Sequence, residues 1–171
     1  MKNDDVIKLL QHYRHDLMNQ IQVIKGYVSM KKNEQVDNKL NELIDYFNEE
    51  RKLTSLNTPE FNLWVIKFNS LHDNIRLSYN IHTVKSLRQI DKLLAKKSEE
   101  VIRAIESSAL DSELYELTLE LNESAKGIEL IFSIKGYFND RTEMVENLKK
   151  LGGHLDINDE KVIYKLLFPN D

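Results

Sequence analysis

The chain of 171 residues contains no cysteine. That excludes a disulfide framework, a thiolate metal site and a cysteine nucleophile, and makes a reducing cytoplasm the expected location. Glycine and proline are scarce, at 5 and 2 residues, too few for a collagenous, loop-built or glycine-cradled phosphate-binding protein. Long hydrophobic runs are missing as well. The longest, Leu63-Trp64-Val65-Ile66, falls far short of the ~18 residues that suggest a membrane span. Met1-Lys2-Asn3-Asp4-Asp5 offers no apolar core for a signal peptide, so none is expected. No charge of one sign dominates: 24 basic residues face 28 acidic ones, a net charge of -4. Neither a nucleic-acid footprint nor attraction to an anionic membrane is expected. What remains is 41% apolar and 30% charged, enough for a core under a solvated surface, in one domain or two small ones.

The first ~58 residues carry one period. Val6, Leu10, Tyr13, Leu17, Ile21, Ile24 and Val28 follow at steps of three and four, which draws an apolar stripe along a helix. Lys31-Lys32-Asn33 interrupts it, with Asn33 suited to cap a second helix through Val36, Leu40, Leu43, Ile44 and Phe47. Pro59 ends whatever helix reaches it. Two helices joined so briefly run antiparallel. A lone hairpin leaves part of each stripe uncovered, and pairing two hairpins into a four-helix bundle closes it. A homodimer through residues 1–58 is therefore expected, against the alternative that the stripe packs on the chain's own C-terminal part.

From Pro59 to Asp171 the period changes repeatedly. Phe61, Trp64, Val65, Phe68 and Leu71 fit a short helix, and Ile75 to Thr83 alternates as a half-buried strand. Leu87 to Ala109 returns to helical spacing. Tyr115 to Leu121 and Ile128 to Ile134 read as strands around a turn at Asn122 to Gly127. Asp140 and Glu143 open a helix that Gly152 closes. Leu155 and Ile157 lead through Asn158-Asp159 into Val162, Tyr164, Leu166 and Phe168, a last hairpin. This order predicts an α+β layer, one sheet with helices on one face, over residues 59–171.

Chemistry is concentrated in His12-Tyr13-Arg14-His15-Asp16-Leu17-Met18-Asn19. His15 lies two residues from both Tyr13 and Leu17, so at ~100° per residue it points about 200° from each seam residue, toward solvent. Lys8, Gln11, His12, Asn19 and Gln22 surround it with polar groups. A solvated histidine of no consequence fits that position. So does a nucleophile: imidazole with its ordinary pKa of ~6.5 is mostly neutral at pH 7 and needs no activating base. It attacks phosphorus in line and holds the group as a phosphoramidate. Asp16 and Arg14, neighbours at ±1 splayed about 100° to either side, fit as ordinary solvated charges. In a well-chosen rotamer, however, Asp16 can accept the Nδ1 proton and leave Nε2 for attack. Arg14 suits phosphate oxygens, and Asn19, one turn on, suits the phosphate or a partner. Gln11, His12, Met18 and Gln22, with Gly26 three turns along the same face, are candidate partner contacts.

The string Arg14-His15-Asp16-Leu17-Met18-Asn19, followed by Gln22-Val23-Ile24-Lys25-Gly26, resembles the phosphoacceptor helix of the sporulation initiation phosphotransferase B family. Citrate and malate sensor kinases carry a related Arg-His-Asp pattern. The resemblance implies a phosphorelay phosphotransferase acting in sporulation initiation. Its histidine takes phosphate from the aspartyl phosphate of one response regulator and gives it to the aspartate of a second. It also implies a dimeric four-helix bundle, a C-terminal domain shaped like a degenerate histidine-kinase ATPase domain, and Mg²⁺ supplied by the response-regulator receiver domain. His15 carries over as phosphoacceptor, with Arg14, Asp16 and Asn19 around it; no cofactor or metal is expected on this chain.

Two rivals share the motif. A non-catalytic dimeric scaffold derived from a kinase would use the polar stripe only for docking. An ATP-dependent sensor kinase would need an Asn-bearing helix for Mg²⁺ and nucleotide, and glycine-rich loops. The corresponding helix, Glu99 to Ala109, has no Asn, and Gly127 and Gly136 stand alone. His12 and His15 at i, i+3 make a poor metal site, and Glu49-Glu50 reads as a solvated helix face.

Overall fold

The computed structural model describes residues 3–158 and 161–170. Met1 and Lys2, on which the leader expectation partly rests, and Asp159 of the last turn lie outside those residues. The chain divides into two compact units, Met1–Arg51 and Lys52–Asp171.

The first unit is built on helices α1 (Asn3–Ser29) and α2 (Asn33–Ser55). The break falls where the sequence places it. Lys31 takes a left-handed φ of 57°, the Lys31 N–H bonds to the Val28 carbonyl, and the Lys32 N–H reaches back to the Tyr27 carbonyl, both at 3.0 Å. This is the helix-stop geometry in which glycine is the usual residue, here filled by lysine. The single stripe expected on α1 proves to be two. Val6, Tyr13, Leu17 and Ile24 are half-buried, together with Leu9 and Tyr27. Leu10, Ile21 and Val28 stay exposed, Leu10 at 58% and Val28 at 56%. On α2, Val36 and Leu43 are half-buried, whereas Leu40, Ile44 and Phe47 are exposed.

The second unit is α+β. Helix α3 (Pro59–Leu71) precedes strand β1 (Ile75–His82), and a 3-10 turn at Arg88–Ile90 opens helix α4 (Asp91–Glu106). The hairpin β2 (Tyr115–Ser124) and β3 (Gly127–Lys135) follows, then α5 (Thr142–Lys150), β4 (His154–Ile157) and β5 (Lys161–Pro169). The sheet order is β1-β2-β3-β5-β4. Among the described residues only β1 and β2 run parallel, with Ile75 opposite Tyr115, because α4 carries the chain back across the sheet. Leu117, Leu119, Leu130, Phe132, Val162 and Tyr164 alternate into a core shared with Phe61, Val65 and Phe68 of α3, Leu94, Val101 and Ile105 of α4, and Met144 and Leu148 of α5. Gly127 begins β3 at φ 141°. A Cβ there would press on the Phe168 carbonyl oxygen and lie 2.8 Å from Pro169 Cα.

The start of α3 is capped from elsewhere. Thr58 makes no capping bond and Pro59 has no N–H. The buried Asp91 carboxylate accepts the Phe61 N–H at 2.9 Å and the Glu60 N–H at 3.2 Å, so one side chain serves two unpaired donors. Asp91→Ala is expected to destabilise the second unit by about 2 kcal/mol. Urea denaturation followed by Trp64 fluorescence measures it; an unchanged midpoint would remove the capping role.

Candidate functional site

Helix α1 presents Lys8, Gln11, His12, Arg14, His15, Asp16, Met18, Asn19 and Gln22 as exposed residues. The face opposite the half-buried stripe is therefore polar and open. His15 stands at its centre with 72% of its side chain accessible, and Asp16 beside it with 77%. The His15 Nδ1 lies 3.3 Å from the Asp16 Oδ1 and 3.3 Å from the Asn19 Nδ2. Nε2 has no partner among the described residues. Gly26 is partly exposed, and a Cβ on it would meet nothing within 4 Å, so nothing in its own unit requires glycine there. Among the described residues, no group of three or more His, Asp or Glu could hold a metal.

The Asn19 amide, one turn from His15 and suited to a phosphate or a partner, contacts the His15 ring in this structure. Glu50 differs from expectation. It does not belong to a merely solvated acidic pair, because it accepts the Tyr13 hydroxyl at 3.0 Å across the hairpin. Periodicity places Tyr13 on the seam but carries no signal for a partner 37 residues away.

This contact has an electrostatic consequence. Burial, then the hydrogen bond and negative charge of Glu50, hold the Tyr13 phenol neutral far above its ordinary range. Tyr46 is shifted upward in the same way, by burial, Glu50 and Asp16. A phenol whose folded pKa is raised contributes stability fully present below pH ~10 and lost as pH rises through the folded value. The stability of the native chain is thus expected to fall above pH ~10, and Tyr13→Phe to flatten that slope. Urea midpoints at pH 9, 10 and 11 check it; equal slopes for both proteins would contradict it.

Two family models divide this sequence between them. One described as sensor kinase SpoOB-type, alpha-helical domain, matches residues 1–56. The other, sporulation initiation phospho-transferase B, C-terminal, matches residues 57–163. The chain belongs to the sporulation initiation phosphotransferase B family. Sporulation initiation phosphotransferase B of Bacillus subtilis (strain 168) is 30% identical over 129 residues, 75% of this chain and 67% of that protein. Among solved structures, the blue-light activated histidine kinase of Erythrobacter litoralis EL346 is similar over 95% of this chain and 59% of its own, at 14% identity and a TM-score of 0.44. The Acinetobacter baumannii histidine kinase AdeS is similar over 92% of this chain and 98% of its own, at 13% identity and a TM-score of 0.41. Among the described residues, no helix is long and apolar enough to cross a membrane.

Proposed function

We propose that this chain is a cytoplasmic phosphorelay phosphotransferase that carries phosphate on His15 between two response-regulator receiver domains, without ATP. The observation that carries this reading is the exposed imidazole on a rigid helix, Nδ1 at 3.3 Å from a carboxylate and Nε2 unencumbered. Membership of the sporulation initiation phosphotransferase B family supports it.

The step balances as a displacement. The Nε2 lone pair of His15 attacks the phosphorus of an aspartyl phosphate. The N–P bond forms as the acyl P–O bond breaks, and the electron pair leaves on the donor's carboxylate. The Nδ1 proton stays hydrogen-bonded to Asp16, which balances the positive charge on the ring. Arg14 neutralises phosphoryl oxygens. Attack by a second regulator's aspartate runs the same displacement in reverse. Both bonds are reactive, so the exchange is reversible. Mg²⁺ belongs to the receiver's acidic pocket.

The active form is a homodimer. Leu10, Ile21 and Val28 of α1 and Leu40, Ile44 and Phe47 of α2 meet the same residues of a second copy in a four-helix bundle. His12, Gln11, Met18, Gln22 and the open backbone at Gly26 form the receiver's docking face. The test is a chase in which one receiver carrying ³²P-phosphoaspartate, a second unlabelled receiver and this chain are combined. Label reaching the second receiver only when this chain is present is the expected result. Binding without movement of label would make the protein a scaffold instead.

A further inference from the structure

His15 Nδ1 has two claimants at the same distance. Asp16 Oδ1 and Asn19 Nδ2 each lie 3.3 Å away, and a neutral imidazole cannot satisfy both. An ionised carboxylate only accepts, so the Asp16 bond requires a proton on Nδ1 and leaves the lone pair on Nε2. An amide NH₂ only donates, so the Asn19 bond requires a bare Nδ1 and puts the proton on Nε2. The two contacts select opposite tautomers of one ring. Only the first is a nucleophile at the exposed nitrogen.

We infer that Asn19 is a positioning residue that holds part of the His15 population in the unreactive tautomer, in competition with Asp16. The carboxylate bond is charge-assisted and the stronger of the two, though at 72% and 77% exposure water weakens it. The equilibrium is therefore mixed. An anionic phosphoryl oxygen accepts an N–H better than a neutral ring nitrogen does. An arriving phosphate draws the Asn19 amide away, and the ring falls to the tautomer that Asp16 favours. The nucleophile is then presented when its target is present. The functional consequence rests on the proposed role of His15, whereas the tautomer competition is a property of the resting ring.

The test reads that ring directly. The full chain is labelled with ¹⁵N in histidine, and long-range ¹H–¹⁵N correlation spectra are recorded at pH 9, where ordinary imidazoles are neutral. His15→Gln identifies its signals among the 5 histidines. Asn19→Ala is expected to raise the ratio of Nδ1–H to Nε2–H tautomer at His15 about two- to threefold, the size of one exposed neutral hydrogen bond. Asn19→Asp keeps the shape without the donor and moves it further the same way, while Asp16→Asn moves it oppositely. An unchanged ratio in Asn19→Ala, or a shift toward Nε2–H, would overturn the inference. Because no phosphate enters this measurement, failure of phosphotransfer leaves its outcome intact.

Discussion

His15→Ala should fold as the native chain does and lose essentially all uptake of acid-labile phosphate from a phosphorylated receiver, by at least about 10³-fold. The first half follows from position. The side chain is 72% accessible, and substitutions at such exposed sites stay within about 0.5 kcal/mol. The second half follows from chemistry. With no cysteine in the chain, the other ready nitrogen nucleophile on this face is His12, one turn away. His12 lacks the adjacent carboxylate at Nδ1 that His15 has in Asp16. His12→Ala is accordingly expected to take up label still, its loss confined to the weaker receiver docking that follows from removing a docking-face residue. Phosphate label resolved on gels, with and without acid treatment, separates the two variants. A His15→Ala protein that still labels would move the site elsewhere.

The second large effect concerns assembly. The double variant Leu10→Asp, Ile21→Asp should sediment as a 20.1 kDa monomer, whereas the native chain should sediment at twice that mass. Both residues are exposed in the single chain, at 58% and 44%, and neither belongs to its buried core. In a twofold bundle each occurs twice, and each buried Leu or Ile contributes roughly 1.5–3 kcal/mol. Four such side chains lost, with charge in their place, raise the dissociation constant by more than about 10⁴-fold. Sedimentation equilibrium at micromolar concentration reads this directly. A native chain that remains monomeric at 100 µM would contradict the bundle.

The α1 stripe illustrates what periodicity carries and what it omits. Steps of three and four place Val6, Tyr13 and Ile24 on one side of the helix correctly. They do not divide an apolar band between two neighbours. That division, with Leu10, Ile21 and Val28 left open, is set by where α2 lies. The strands were legible because alternation has a period of two and little else produces it; Ile75 to His82 and Tyr115 to Ser124 fall within a few residues of expectation. The sheet order was not. The last hairpin accounts for β5 pairing with β4, but nothing local in β5 says that its other edge pairs with β3, because such pairing is a long-range choice among compatible edges. The same holds for Asp91, which caps a helix 30 residues away.

At the candidate site, exposure of His15 and its polar surroundings followed from helical geometry alone, as did the reach of Asn19 at i+4. Which atom Asn19 touches did not follow. That depends on rotamers and on the competition between donor and acceptor at a single nitrogen. The Tyr13–Glu50 bond was invisible for the opposite reason, since it joins two elements whose register is fixed only once they pack.

The most direct test is to locate the phosphoryl group itself. The chain, labelled with ¹⁵N in histidine, is incubated with a phosphorylated receiver domain and analysed by ³¹P- and ¹⁵N-resolved correlation spectroscopy. The expected product is a single phosphoramidate on Nε2 of His15. Phosphate on another residue, on Nδ1, or on none would contradict the assignment of this imidazole as the phosphate carrier.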